Sequence, residues 1–230
     1  MRHVLLYISA LCLALAAVPA GQSVETGRVI GRVRLTTKVP GTPLPSTAYP
    51  RRTVGDHDAP VQPEIRNVVV YIKDATYRGV LPVKRAELRQ QHETFIPHTI
   101  AITRGSSVDF PNGDPFFHNV FSLSRAANFN LGRYERGQSR SREFPKAGTV
   151  KVYCDIHSHM SATIVVFDHP YFTIPEPDGS FELLGVPAGD YTIVGWHERV
   201  GERAERVRVE AGRAASIDLT VPVPVGGVAP

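Results

Sequence analysis

The chain has 230 residues, 42% of them hydrophobic, 21% charged and 8% aromatic, which excludes both a disordered polypeptide and a multi-span membrane protein. Its net charge of +4 is too small to argue for nucleic acid as a partner. The charge is uneven: residues 170–230 hold 5 basic and 9 acidic side chains on a basic remainder, which points to two units with different surroundings.

The first twenty residues read as a secretory signal. Arg2 and His3 precede an uncharged run of 15 residues, Val4 to Val18, and Val18-Pro19-Ala20 is a small-residue cleavage site. That run is shorter than the roughly 18 residues a membrane span needs, so the expectation is a mature chain from Gly21, periplasmic or secreted, with no membrane span. Cys12 would leave with the signal. Cys154 is then the one cysteine left and cannot form an internal disulfide.

Arg28 to Thr36 alternates apolar and basic residues and predicts a half-exposed strand. Val39 to Pro63 is Pro-rich without a period and reads as a linker. Asn67 to Lys73 is a β-branched run suited to a buried strand. Further strands are expected at His98–Thr103 and Ser107–Phe110, the latter ending in the turn Pro111-Asn112-Gly113-Asp114. Residues 125–146 are polar and Arg-rich, and their pattern assigns no strand; Arg133 to Arg142 reads as a solvated loop able to steer an acidic partner. Strands resume at Thr149–Tyr153 and Ala162–Phe167. From Tyr171 onward, apolar runs alternate with Gly- and Pro-bearing turns. The sum predicts an all-β sandwich or barrel architecture.

The two scarce sulfur residues share one short loop. Cys154-Asp155-Ile156-His157-Ser158-His159-Met160 spells C-x-x-H-x-x-M between two strands, and Met160 is the only methionine besides the initiator. Thiolate, imidazole and thioether together suit copper: two His and one Cys with a weak axial Met make a blue-copper electron-transfer site. The missing histidine is best supplied by His118, 36 residues upstream of Cys154 in Phe116-Phe117-His118-Asn119-Val120. A Cys-His nucleophile lacks an orienting residue and an oxyanion hole nearby. Structural zinc would recruit more thiolates. A buried structural Cys beside incidental His and Met is the third alternative.

SVDFPNGDPFFHNV together with VYCDIHSHM resembles the cupredoxins, in particular the amicyanin- and plastocyanin-like proteins of the methylamine-utilisation type, over about Thr94 to Asp168. The resemblance implies one type 1 copper per chain held by His118, Cys154, His157 and Met160, with Asn119 tying the ligand loops together by hydrogen bonds. It implies a one-electron carrier rather than an enzyme, with a redox protein partner such as a c-type cytochrome or a periplasmic dehydrogenase. Position 158 is Ser, not the second Cys of a binuclear site, and no His flanks Cys154 as in multicopper oxidases. Copper trafficking, or a metal-free binding module, are the competing functions. Phe116, Phe117 and Phe121 read ordinarily as core packing; the functional expectation is that part of this cluster, with Ile156, forms an apolar collar around an exposed edge of His157. His159 could compete as a ligand but reads as a surface residue of the loop; His98 reads as a strand residue, either supporting the ligands or exposed; His92, His169 and His197 read as turn or surface histidines, although Trp196-His197-Glu198 could pack at a contact between the units.

DGSFELLGVPAGDYTIVGWHE followed by RVRVEAGRAASIDLTV resembles the carboxypeptidase-regulatory-like, transthyretin-like β-sandwiches, whose opening strand matches Gly27-Arg28-Val29-Ile30-Gly31-Arg32-Val33. The expected fold is thus a cupredoxin Greek-key β-sandwich plus a small transthyretin-like one. The expected segments are a signal at 1–20, strands and linker at 21–83, a cupredoxin unit at 84–169, a second sandwich at 170–223 and a tail at 224–230. The N-terminal strand, with or without Asn67–Lys73, is expected to complete the second sandwich; the alternative puts Asn67–Lys73 in the cupredoxin.

Overall fold

A computed structural model describes residues 25–36 and 63–221; the signal segment, most of the Pro-rich stretch and the tail lie outside the described residues. The described chain is all-β, and its one helical element is the 3-10 turn Glu64–Asn67. In chain order the strands are β1 (Thr26–Leu35), β2 (Val68–Ile72), β3 (Arg85–Glu87), β4 (Arg89–Gln91), β5 (Thr94–Ile96) and β6 (Thr99–Thr103). Then come β7 (Ser107–Pro111), β8 (His118–Ser124), β9 (Ala127–Tyr134), β10 (Ser139–Glu143), β11 (Gly148–Tyr153) and β12 (Ser161–Phe167). The last are β13 (Phe172–Thr173), β14 (Ser180–Pro187), β15 (Gly189–His197), β16 (Gly201–Val209), β17 (Ala214–Ser216) and β18 (Leu219–Val221).

β1 shows how the period-2 pattern becomes structure. Val29 and Val33 point inward and are buried, while Arg28, Arg32 and Arg34 point out and pair with Glu182, Asp178 and Asp218. Each buried valine contributes about 1.5–3 kcal/mol, against at most about 1 kcal/mol for an exposed ion pair, so the apolar face sets the register. β1 runs antiparallel to β14 and parallel to β17 and β18. The crossing is close: a Cβ on Gly31 would lie 1.7 Å from the Ile217 carbonyl oxygen, so only glycine fits there. Opposite this sheet lies β13-β2-β15-β16, and the two faces enclose Val29, Val68, Val70, Ile72, Leu183, Ile193 and Leu219. β2, from the Asn67–Lys73 run, pairs with β13 and β15.

The intervening chain builds a second core from its own strands. The sheet β6-β12-β11-β8-β9 faces the sheet β10-β7-β3 across Phe95, Phe110, Val120, Phe129, Tyr134, Phe144 and Ile164. The hairpin β4-β5 is tied to the turn after β7 by the Gly113 N–H, which donates to the Gln90 carbonyl at 2.8 Å.

Residues 125–146 correct the sequence reading. They are β9 and β10, with the turn between them at Gly137 in the left-handed region (φ 79°). β10 is exposed at all five positions, so it carries no apolar alternation to read. Arg140 and Arg142 lie over the rings of Tyr134 and Phe129, with guanidinium carbons 5.8 and 5.7 Å from the ring centroids.

Glu198 fastens the two cores to each other. It follows β15, and its carboxylate accepts hydrogen bonds from His98 Nε2 at 2.8 Å, Lys151 Nζ at 2.5 Å and Thr163 Oγ1 at 2.5 Å. Burial pushes its carboxyl up, but the hydrogen bonds and charge of His98, with those of Lys151 and Thr163, outweigh this and hold it well below the usual carboxylate range. A depressed folded-state value adds stability above the unfolded value that is lost as pH falls through the folded one. Glu198→Gln is therefore expected to lower the unfolding free energy at neutral pH by about 2 kcal/mol. The gap between variant and parent should narrow as pH drops below about 4.5, the ordinary glutamate range. Denaturant titrations followed by the fluorescence of Trp196, the sole tryptophan, would check both parts; a gap of equal size in acid would contradict them.

Candidate metal centre

Two strand ends bring the candidate residues together. β11 and β12 pair as far as Tyr153 and Ser161, which leaves Cys154 to Met160 as a tight connecting loop. Two backbone bonds close it: Met160 N–H donates to the His157 carbonyl at 2.9 Å, and Cys154 N–H to the Met160 carbonyl at 3.4 Å. β8 lies beside β11 and starts at His118. Asn119 joins the two segments, its Oδ1 accepting the Asp155 N–H at 2.9 Å and its Nδ2 donating to Asn130 Oδ1 at 2.7 Å.

His118, Cys154 and His157 converge and are buried. The Nδ1 atoms of the two imidazoles are 3.1 Å apart, and Cys154 Sγ lies 3.8 Å from the first and 3.9 Å from the second. With metal–nitrogen distances of about 2.0–2.1 Å and metal–sulfur of about 2.3 Å, donors sharing one ion are separated by about 3.3 Å (N to N) and about 3.6–3.8 Å (N to S). The observed triangle fits a single transition-metal ion. Met160 is 1% exposed and belongs to the same core as Cys154.

The electrostatics agree with a metal-binding thiolate. Burial pushes the Cys154 thiol up, but hydrogen bonding with His118 and with the backbone N–H groups of Asn119, His157 and Ile156 brings it below its ordinary value. Burial alone would push His118 down; the hydrogen bond to Asp114, and the hydrogen bond and charge of Cys154, raise it to about 9.

Asp114 escaped sequence reading, where it was only the end of a turn. Its Oδ2 lies 2.8 Å from His118 Nε2, which leaves Nδ1 facing the Cys154 sulfur. The same carboxylate accepts the backbone N–H groups of His92 at 2.7 Å and Glu93 at 2.9 Å. These two residues form the β4-β5 turn, and both are left-handed, with φ of 56° and 52°. For side chains other than glycine that conformation costs roughly 1–3 kcal/mol each, and Asp114 supplies the hydrogen bonds that offset it. Aspartate in a Pro-Asn-Gly-Asp turn four residues before a candidate ligand was the available signal.

The collar differs from expectation. His157 is only 7% exposed at its side chain, because the Phe116 ring lies over both imidazoles, with centroids 5.2 Å from His118 and 5.3 Å from His157. Phe117 and Ile156 are exposed beside the site, whereas Phe121 packs at a tilt against Tyr153, ring centroids 5.8 Å apart. His159 stands outside the triangle, with Nε2 3.5 Å from Glu93. His98 precedes β6 rather than lying on a strand, and it serves the Glu198 junction. His169 and His197 are buried, not superficial: Nδ1 of His169 accepts the Tyr171 N–H, and Nε2 of His197 lies 2.9 Å from Glu64. Both imidazoles answer local polar groups, which hydropathy does not reveal.

No family model and no curated protein matches the chain. Among solved structures it is similar to a copper-containing nitrite reductase from Thermus scotoductus SA-01, with 22% identity over 41% of this chain and a TM-score of 0.36. The match spans 25% of the reductase chain. It is similar also to a purple cupredoxin from Nitrosopumilus maritimus, 21% identical over 36% of this chain and 99% of that one at a TM-score of 0.33. Amicyanin from Paracoccus versutus is 18% identical over 43% of this chain and 97% of its own, at a TM-score of 0.34.

Outer carboxylates that orient metal-bound histidines are commonly worth 10–100-fold in affinity. Asp114→Asn is expected to weaken Co(II) binding by roughly that factor, as measured by competition with a chromophoric chelator. Unchanged affinity would show that Asp114 serves the turn alone.

Proposed function

We propose that this chain is an exported, mononuclear type 1 copper protein that carries single electrons. The observation that carries this reading is the buried triangle of two imidazole nitrogens and one thiolate sulfur at separations that suit one ion. In this reading His118 and His157 are the equatorial nitrogen ligands, Cys154 the thiolate and Met160 the weak axial ligand, with one copper per chain. Copper would supply a one-electron couple. Everything else is done by the protein.

Each part of the site has a task. Against burial, hydrogen bonds from His118 and from backbone N–H groups lower the Cys154 thiol and so favour the thiolate that a soft metal would bind. Asp114 holds His118 in the tautomer that offers Nδ1. Asn119 fixes the spacing of the two ligand segments. The paired strands β8, β11 and β12 hold the donors rigidly, so a change of metal charge meets little structural relaxation. Phe116 keeps water off the imidazoles. Exposed Phe117 and Ile156 form an apolar rim on which a redox protein, such as a c-type cytochrome or a periplasmic dehydrogenase, would dock.

The N-terminal signal reading supports export, and no helix among the described residues is long and apolar enough to cross a membrane. A β-sandwich of the transthyretin-like kind, completed by β1 and β2, would serve as the docking or assembly unit beside the copper unit.

Titrating the mature apo-protein with Cu(II) tests the proposal. The expected result is an intense thiolate-to-copper absorption band with narrow copper hyperfine splitting, saturating at one equivalent and abolished by Cys154→Ser. Rapid surrender of copper to an apo-acceptor, with slow electron self-exchange, would replace the carrier reading by trafficking. Absence of any band would leave a binding module.

A further inference from the structure

His118 has a buried carboxylate on its outer nitrogen. His157 has the Glu93 carboxylate near its own outer nitrogen, at a longer distance, and beyond its approach to His159 that side chain has been given no role above. Glu93 is buried, with its side chain 7% exposed, and its Oε1 makes no hydrogen bond among the described residues. That oxygen faces Nε2 of His157 at 3.8 Å, and Oε2 faces Nε2 of His159 at 3.5 Å. A buried carboxylate oxygen without a partner is costly and calls for an explanation.

Two further observations show that its placement is built. Glu93 sits in a left-handed turn that glycine or asparagine would occupy more readily. The turn is held open by Asp114, the residue that also orients His118. One carboxylate thus holds one ligand directly and presents a second carboxylate to the other ligand.

We propose that Glu93 is the positioning residue of His157 and that its negative charge favours the oxidised metal, setting the reduction potential of the centre. The inference rests on the copper reading. An imidazole that gives Nδ1 to a metal carries its hydrogen on Nε2, so His157 would direct that hydrogen at Glu93. Cu(II) bound by one thiolate keeps a net positive charge, whereas Cu(I) bound by one thiolate has none. A carboxylate within the same water-poor pocket therefore stabilises the oxidised form more. His159, at the loop surface, has Nε2 3.5 Å from the other carboxylate oxygen.

The experiment compares the copper-loaded full chain with its Glu93→Gln and Glu93→Asp variants. Cu(II) and Cu(I) affinities are measured by chelator competition and the midpoint potential by voltammetry. Glu93→Gln keeps the shape and removes the charge; it is expected to lower the ratio of Cu(II) to Cu(I) affinity roughly tenfold. For one electron this is a rise of about 59 mV in potential. Glu93→Asp keeps the charge and is expected to retain most of the parental ratio, even if the turn is loosened and both affinities fall together. A normal blue band with an unchanged ratio in Glu93→Gln, or equal shifts in the two variants, overturns this inference and leaves the copper reading intact. A parent chain without a thiolate-to-copper band overturns the copper reading and this inference with it.

Discussion

Asp114 is the constraint on which the candidate metal centre depends, because its two oxygens serve two chain segments at once. One segment is the start of β8, where His118 has its partner on Nε2 and Nδ1 faces the Cys154 sulfur. The other is the β4-β5 turn, whose two left-handed residues offer N–H groups to the same carboxylate. Burial opposes the charge, yet the hydrogen bonds from His118 and the two backbone groups hold the Asp114 carboxyl below its ordinary value. A group that must remain an acceptor in a nearly dry pocket needs that many donors.

Around this carboxylate, rigidity comes from β pairing rather than from any one contact. β11 and β12 are paired up to both ends of the ligand loop, so the loop of Cys154 and Met160 has little freedom. Aromatic side chains beneath the site fill the space between the sheets, and the Tyr134 hydroxyl donates to the Phe110 carbonyl in that core. At the far side, His98, Lys151 and Thr163 meet Glu198 and join the sheet β6-β12-β11-β8-β9 to the second sandwich. Lys151 and Thr163 lie on β11 and β12, the same strands that frame the ligand loop. The second sandwich thereby braces the strands that position the candidate ligands, even though it brings no residue of its own to their triangle among the described residues.

Much of the site was legible because sulfur is scarce and metal-ligand spacing is local. Cys154, His157 and Met160 lie within one loop, and their order alone points to a soft-ligand centre. Strands with one buried face were legible too, since alternation survives in β1 and the β-branched run marks β2. β10 was not, because it is exposed at every position and its arginines pack on rings that come from β9. Nor were the buried histidines His169 and His197, whose partners lie in backbone or in a residue more than a hundred positions away.

By itself, then, the sequence determined the all-β class, and it singled out the Cys154–Met160 loop and His118 as candidates, since residue type and scarcity mark them. Tertiary structure decided what surrounds them. It placed Asp114 on the outer nitrogen of His118 and Glu93 3.8 Å from that of His157, covered His157 with Phe116 where an exposed edge was expected, and set β1 and β2 against strands from the far end of the chain. The physical reason is separation along the chain. A carboxylate in a turn carries no local mark of the imidazole it will face, because only the closed core dictates which polar groups must satisfy each other once water is gone.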